Sequence, residues 1–187
     1  MIGEIDEMNL YIADTHFGHK NIMLHDHRPF SDVEEMWAAM KQLWNGRVAK
    51  NDDVWILGDF CFRSAKDPVT YLRELKGKKH LIIGNHDKEL LKDEAAMKYF
   101  ETVDDYRKIH DNGNTIILCH YPLAEWDGYF RGSWHIYGHI HGSTNDAYHF
   151  MKDKERALNA GCMINSYTPA SLNELIRNNE LFRKNNP

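Results

Sequence analysis

Five short clusters rich in aspartate and histidine recur along this chain of 187 residues, each directly after a run of residues typical of a β-strand. Hard oxygen ligands and neutral imidazoles suit manganese, iron, zinc or nickel ions, and a carboxylate can bridge two such ions. A single histidine or aspartate is more often structural, but five clusters at strand ends favour one shared metal site. In sequence order the clusters read D-x-H, G-D, G-N-H-D, H and G-H-x-H, with the polar members Asp14, His16, Asp59, Asn85, His86, Asp87, His120, His139 and His141.

The elements that must position these clusters are β-prone runs at residues 8–13, 54–57 and 80–83, separated by two helical patterns. This order predicts parallel strands with right-handed crossovers, whose carboxyl ends meet at one edge of a sheet. Asp and His two residues apart in an extended segment project from the same side, so both can reach one ion. Further along, Asn112-Gly113 indicates a hairpin, so the second half of the chain is predicted to be more antiparallel.

Four helices are predicted, three from their capping residues and the third from its amphipathic spacing. We expect the third to cover residues 88–100 and the last to end at Ile176, which would leave residues 177–187 frayed. The predicted helices begin at a capping box of Ser31 with Glu34, at Asp67 with Pro68 in the first helical position, at residue 88, and at a capping box of Ser171 with Glu174.

Length and composition are those of one globular domain over residues 1–187. No apolar run approaches the roughly 18 residues of a membrane span, and the acidic start lacks a signal-peptide pattern, so we expect a cytoplasmic protein. Cys61, Cys119 and Cys162 form no C-x-x-C pair, which argues against a thiolate metal site. The net charge of −5 argues against binding of double-stranded nucleic acid.

Taken together, the five clusters resemble the signature motifs of the calcineurin-like metallophosphoesterase family, which they match in order from Asp14 to His141. The chain is most similar to the small bacterial and phage-type members. The resemblance implies an α/β fold of α+β type, a four-layer αββα sandwich of two mixed sheets. It also implies two divalent metal ions, manganese being favoured over iron, zinc, nickel or magnesium. Unlike many members, the chain has Phe17 between D-x-H and the following Gly18, which leaves the family's substrate contacts open here.

The resemblance also implies roles for individual residues. A metal-bridging hydroxide would attack phosphorus in line, while His86 would stabilise the phosphoryl group and protonate the leaving alkoxide. Asp87 would orient the His86 imidazole or, equally, cap the helix after it. Asp14, His16 and His141 would bind the first ion and Asn85, His120 and His139 the second, with Asp59 bridging both.

Other side chains are candidates for substrate contact. Beyond Asn85 and His86, phosphate could be met by His19 and Arg63, and also by His27 and Arg28, although solvated loop positions are the commoner outcome. The aromatic residues of the second half could stack on a nucleobase, but packing under a loop is favoured. These aromatic residues are Tyr121, Trp126, Tyr129 and Trp134.

The predicted function is hydrolysis of a small phosphate ester, a phosphodiester or a phosphomonoester, for which a nucleotide-like substrate is plausible. The chain has no length for a cap domain, so an open site is expected. Two alternatives stay in view. One is a non-catalytic metal-binding scaffold with the same fold, and the other is a single-strand nuclease. The oligomeric state is left open.

Overall fold

The structure is a computed structural model that describes residues 7–187, so the first six residues, which contribute to the signal-peptide argument, lie outside it. The strands in this part are β1 (Asn9–Ile12), β2 (Asp53–Leu57), β3 (Lys78–Ile82), β4 (Phe100–Asp104), β5 (Tyr106–Asp111), β6 (Asn114–Cys119), β7 (Trp134–Tyr137) and β8 (Ala157–Asn159). The α-helices are α1 (Ile22–His25), α2 (Val33–Arg47), α3 (Pro68–Leu72), α4 (Glu94–Met97), α5 (Asp146–Met151) and α6 (Leu172–Asn185).

The strands form two sheets of four. In the first sheet the order is β1-β2-β3-β4, and every pair is parallel, as the alternation of strands and helices predicts. In the second sheet the order is β5-β6-β7-β8, with β5 and β6 joined as the predicted antiparallel hairpin and the other pairs parallel. The predicted α/β sandwich of two sheets is therefore confirmed. The prediction that both sheets are mixed is wrong for the first, in which all the described strand pairs are parallel, and right for the second.

Buried apolar side chains order the layers of the sandwich. Because neighbouring strand residues point to opposite faces, Ile56 of β2 packs outward with Met40 and Trp44 of α2, whereas Leu57 packs inward with Leu118 of β6. The outer face of β6 and β7 is covered by α5 and the loop before β7. The sheets thus pack face to face, with α2 and α5 outside, while Leu172 and Leu175 of α6 join the apolar layer between the sheets.

Two helix beginnings test the predicted caps. Asp67 caps α3, with Pro68 in the first position, as predicted. The Ser31–Glu34 capping box is wrong by one residue, since Asp32 is the cap and accepts the backbone N–H of Glu34. Ser31 lies outside the helix and bonds the Glu35 carboxylate instead.

The predicted helix at residues 88–100 is wrong. Asp93 has an extended conformation, and its carboxylate caps the single-turn helix α4, so the segment is divided into a short 3₁₀ helix and α4. The last helix has the predicted capping box, but it does not end at Ile176. Buried Asn179 exchanges hydrogen bonds with the backbone of Asn159 in β8 and so anchors α6 to the second sheet. The helix therefore continues to Asn185, and the predicted fraying from residue 177 is wrong.

Within residues 7–187, no helix combines the length and apolar character needed to cross a membrane. The three cysteines are free thiols, of which Cys61 and Cys162 are buried and Cys119 is partly exposed.

Candidate metal centre

Strand ends bring the predicted ligands to one place between the two sheets. In the parallel pairs the carboxyl ends lie at the same edge, and each cluster follows such an end within a few residues. Thus β1 leads to Asp14 and His16, β2 to Asp59, β3 to Asn85 and His86, β6 to His120, and β7 to His139 and His141.

Five of these residues have left-handed backbone conformations, which side chains other than glycine seldom adopt. Such a conformation costs about 1–3 kcal/mol and persists only where the surroundings hold it. The φ angles are 56° at Asp14, 49° at His16, 55° at Asp59, 71° at His139 and 54° at His141. Strain at five neighbouring positions is typical of a functional site.

The first group of ligand atoms belongs to Asp14, His16, Asp59 and His141, whose nearest nitrogen and carboxylate oxygen atoms all lie within 4.8 Å of one another. His16 Nε2 is 3.3 Å from His141 Nε2 and 3.5 Å from Asp59 Oδ2. His141 Nε2 is 3.8 Å from Asp14 Oδ1. Two imidazole nitrogens that face each other between two carboxylates are the donor set that a divalent cation requires.

The second group lies beside the first. Asn85 Oδ1 is 2.9 Å from His139 Nδ1 and 3.2 Å from His120 Nε2, which is in turn 3.7 Å from Asp59 Oδ2. His120 Nδ1 donates to the Leu57 carbonyl at 2.8 Å, so the lone pair of Nε2 is left to face the group. Asp59 Oδ2 therefore borders both groups, while Asp59 Oδ1 accepts the backbone N–H of His86 at 2.8 Å.

Glycines allow the strand ends to approach this closely. A Cβ atom at Gly58, where φ is +80°, would lie 2.4 Å from His120 Nδ1 and 2.7 Å from the Cα of Gly84. A Cβ at Gly84 would lie 2.4 Å from Asp59 Oδ1. Gly58 of the G-D cluster and Gly84 of the G-N-H-D cluster are thus both required, because a side chain at either one would collide with the other cluster.

Asp87 has neither of its two predicted roles. It is fully buried, and its carboxylate accepts the backbone N–H groups of Asp59, Phe60 and Gly84 at 2.8, 2.9 and 2.8 Å. Within residues 7–187 it makes no hydrogen bond to the His86 ring, and the helix that it would have capped is absent. The prediction failed because two of these N–H groups, those of Asp59 and Phe60, come from a loop that only the fold brings beside Asp87. The residue joins the loops after β2 and β3.

His86 lies at the edge of the two groups. Its ring centroid is 5.5 Å from that of His16 and 4.1 Å from that of Phe62. Phe62 also meets the His19 ring edge to face at 5.0 Å, and the Arg63 guanidinium lies over Phe62 at 5.1 Å. The predicted phosphate contacts His19 and Arg63 are therefore placed beside His86, His19 half-buried and Arg63 exposed.

Arg28 is not placed as a phosphate contact, whereas for His27 that contact stays a prediction. Arg28 is 5% exposed, and its guanidinium donates to the backbone carbonyls of Asp14 and Thr15 at 2.7 and 2.8 Å, so it faces the protein interior. His27 is an exposed loop residue. Among the aromatic residues, Trp126 packs against Tyr129 as expected, whereas Tyr121 is 44% exposed and lies 4.7 Å from the His139 ring.

Asp26 is a residue of this site that the sequence did not reveal. Its carboxylate oxygens are 2.8 and 2.9 Å from Nδ1 of His141, and Arg28 donates to the same carboxylate at 2.8 Å. Asp26 and His141 are 115 positions apart, and no periodicity connects them. The only local signal is an acid placed among the histidines and the arginine of residues 25–28.

Burial dominates the electrostatics of the first group. It raises the pKa of Asp14 to about 6 and holds the pKa of His16 well below its ordinary value, because charge is costly away from water. Burial would also lower the pKa of His141, but the hydrogen bond to Asp26 and the nearby carboxylates outweigh it and raise that pKa. A cluster of two buried carboxylates and two imidazoles is suited to a bound cation, which would favour the carboxylate form of Asp14 and the unprotonated form of His141.

Comparison with known proteins finds relatives over most of the chain. No protein-family model matches it. It is 34% identical over 168 residues to the uncharacterized protein MJ1445 of Methanocaldococcus jannaschii, which covers 89% of this chain and 88% of that protein. It is 30% identical over 158 residues to the Gene 66 protein of Mycobacterium phage L5, with 70% of this chain and 76% of that protein covered.

Three solved structures align with this chain, and the first shares its fold over nearly the whole length. The protein of unknown function AQ665 from Aquifex aeolicus aligns with a TM-score of 0.72 and 27% identity, over 92% of this chain and 99% of that one. The Pseudomonas putida nuclease MPE aligns with a TM-score of 0.44 and 23% identity, over 71% and 60% of the two chains. Yfce, a phosphoesterase from E. coli, aligns with a TM-score of 0.38 and 14% identity, over 82% and 77%.

Proposed function

Because this chain belongs to the calcineurin-like metallophosphoesterase family, we propose that it is a phosphoesterase that uses two divalent metal ions. One observation carries the proposal. Asp59 Oδ2 lies 3.5 Å from His16 Nε2 of one ligand group and 3.7 Å from His120 Nε2 of the other, the position of a carboxylate that serves two ions.

Two of the proposed histidine ligands are turned by hydrogen bonds so that a donor atom faces the site. His120 and His141 use their Nδ1 atoms for hydrogen bonds, which leaves Nε2 for an ion. When bound, the ions would lower the pKa of water and neutralise phosphate charge. Manganese is the ion that we propose, since the ligands are oxygen and imidazole without thiolate, and iron, zinc, nickel or magnesium are the alternatives. Asp14, His16 and His141 would hold one ion and Asn85, His120 and His139 the other, with Asp59 shared.

His86 is the residue proposed to act on the substrate directly. The hydrogen bond from its backbone N–H to Asp59 Oδ1 fixes the start of its side chain beside the shared carboxylate. Its half-buried ring, when protonated, can donate a hydrogen bond to a phosphoryl oxygen and give its proton to the leaving oxygen. Asp59 would thus connect ion binding to the position of the acid.

A cavity of about 300 Å³ beside His86 is the proposed place for the leaving group. Phe62 and Leu90 give it apolar walls, and Arg63 adds a positive charge at its edge. A volume of this size accepts a nucleoside or another planar group, and Phe62 offers a face for stacking. We therefore propose a nucleotide-like phosphomonoester or phosphodiester as the substrate.

A single-strand nuclease is the second candidate. Tyr121 beside His139 and Phe62 beside His86 are aromatic side chains on which successive bases could stack. The net charge of −5 argues against it, because such proteins normally follow the phosphate backbone with a basic groove. A non-catalytic scaffold is disfavoured because His86 and every proposed ligand are present.

The test is hydrolysis by metal-stripped protein to which Mn²⁺ is returned. We expect turnover of bis-p-nitrophenyl phosphate or p-nitrophenyl phosphate, followed by a screen of nucleotides, cyclic nucleotides and single-stranded DNA. Asp59→Asn should lower the rate by roughly 100-fold or more, because the shared ligand is weakened. Asp53→Asn is the matched control, since Asp53 begins β2 at the other end of the same strand and pairs with His80. Absence of all turnover, or an unchanged rate in Asp59→Asn, would refute the proposal.

A further inference from the structure

Asp26 and Arg28 connect two clusters of the metal centre that are far apart in the sequence. Asp26 accepts from Nδ1 of His141 in the G-H-x-H cluster, and Arg28 donates to the carbonyls of Asp14 and Thr15 in the D-x-H cluster. Arg28 also donates to Asp26 from Nε at 3.0 Å and from a terminal nitrogen at 2.8 Å. We propose that this pair is a clamp that positions His141 and the D-x-H segment and thereby sets the affinity of the first ion. The clamp rests on the proposed function, because it acts on a metal site.

The clamp selects one tautomer of His141. Asp26 as a carboxylate can only accept, so His141 carries its proton on Nδ1 and presents the lone pair of Nε2 toward His16 and Asp14. The same hydrogen bond fixes the plane of the ring. A carboxylate behind a histidine ligand is the arrangement that makes such a ligand more basic and better oriented.

The hydrogen bonds and the charge of Arg28 offset the cost of burying the Asp26 carboxylate. A guanidinium that is 5% exposed near a cation site would be costly, but four of its contacts are to a carboxylate and two carbonyls at 2.7–3.0 Å. Its charge offsets that of Asp26, so the anionic charge that remains near the ion belongs to Asp14 and Asp59. The planar fork of arginine suits this pattern, and a lysine at this position could not reach the same partners together.

The clamp also accounts for backbone strain. Asp14 and His141 have φ angles of 56° and 54°, and one guanidinium fixes the carbonyl of the first while its partner carboxylate fixes the ring of the second. Strained conformations persist where several contacts determine them at once. Loss of the clamp should therefore loosen the first ligand group. The second group should be unaffected, because other contacts, such as that of His120 with the Leu57 carbonyl, hold it in place.

The experiment measures the two dissociation constants for Mn²⁺ in the full-length protein by calorimetry, with Co²⁺ absorption spectra to report the coordination of each site. Asp26→Ala should weaken one of the two sites by roughly 10–100-fold and change only the Co²⁺ band of that site. Asp26→Asn, which keeps an acceptor for Nδ1 without the charge, should weaken the same site less. Arg28→Lys should also affect that site alone. Asp26→Asn and Arg28→Lys keep the test decisive if Asp26→Ala does not fold.

Asp32→Ala is the control for a merely structural effect. Asp32 caps α2 in the same region of the chain, so its loss should lower stability without changing either dissociation constant. The clamp is overturned if the Asp26 and Arg28 variants leave both constants unchanged, or if they weaken both sites equally. If the wild-type protein binds no Mn²⁺, the clamp and the proposed function both fail. If the wild-type protein binds two ions and hydrolyses phosphate esters while the variants bind normally, only the clamp fails.

Discussion

Asp87→Ala is expected to destabilise the protein strongly, because its carboxylate satisfies three buried backbone N–H groups. Two of these, at Asp59 and Phe60, belong to the loop after β2, and the third, at Gly84, belongs to the loop after β3. Water cannot replace the carboxylate freely, since the side chain is fully buried. The loops that carry the shared ligand and the proposed acid are thus held together by one side chain.

The magnitude follows from the three hydrogen bonds. Each buried N–H left without an acceptor costs about 1–3 kcal/mol. Burial also raises the pKa of Asp87, so removal of the carboxylate recovers part of its own desolvation cost. The net loss is therefore expected near the lower end of the sum, about 3–4 kcal/mol out of the roughly 5–15 kcal/mol that a domain of this kind has. Asp87→Asn should cost about half as much, because its amide keeps one acceptor oxygen.

Urea unfolding of the metal-free proteins, followed by tryptophan fluorescence, measures this loss. Asp93→Ala is the matched control, since Asp93 caps α4 through the N–H groups of Ala95 and Ala96 and should cost only about 1 kcal/mol. An Asp87→Ala protein no less stable than the control would refute the reasoning. A normal unfolding free energy together with a lower turnover number would instead support the discarded role, in which Asp87 orients His86.

Two further predictions concern stability at low pH and substrate choice. Burial lowers the pKa of His135 to about 4, so between about pH 6.5 and 4 only the unfolded chain takes up this proton, and stability decreases as the pH falls. At about pH 5 the wild-type protein should have lost about 2 kcal/mol more stability than His135→Gln. Equal shifts of the urea midpoint in both proteins would contradict this. Phe62→Leu should lower kcat/KM by about 10-fold for AMP and much less for methyl phosphate, because stacking on the leaving group is lost; an equal loss for both esters would show that Phe62 does not contact the leaving group.

The metal-ligand candidates could be predicted because their signal is local. An acid or histidine directly after a β-prone run is visible in the sequence, and parallel topology then places Asp14, Asp59 and Asn85 at one edge. The fold class followed from the same alternation of strands and helices together with the family resemblance. The sequence therefore indicated which residues lie at the site.

The supports of the site could not be predicted, because their partners are distant in the sequence. Asp87 looked like a partner of its neighbour His86, but its carboxylate oxygens accept the backbone N–H groups of Asp59 and Phe60. Asp26 looked like one polar residue in a polar loop, although it bonds His141. The helix predicted at residues 88–100 was wrong for a local reason: Asp93 caps a new helix in the middle of the amphipathic run and so divides it.

The central claim is that Asn85 binds one of two metal ions while His86 acts only as the acid. Its most direct test compares Asn85→Ala with His86→Ala. Metal content and Mn²⁺ affinity are measured by elemental analysis and calorimetry, and turnover is measured on the same samples. Asn85→Ala should lose affinity at one site, because Asn85 Oδ1 faces His120 and His139. His86→Ala should retain both ions and lose roughly 100-fold or more in kcat. Equal loss of metal in the two variants would contradict the account.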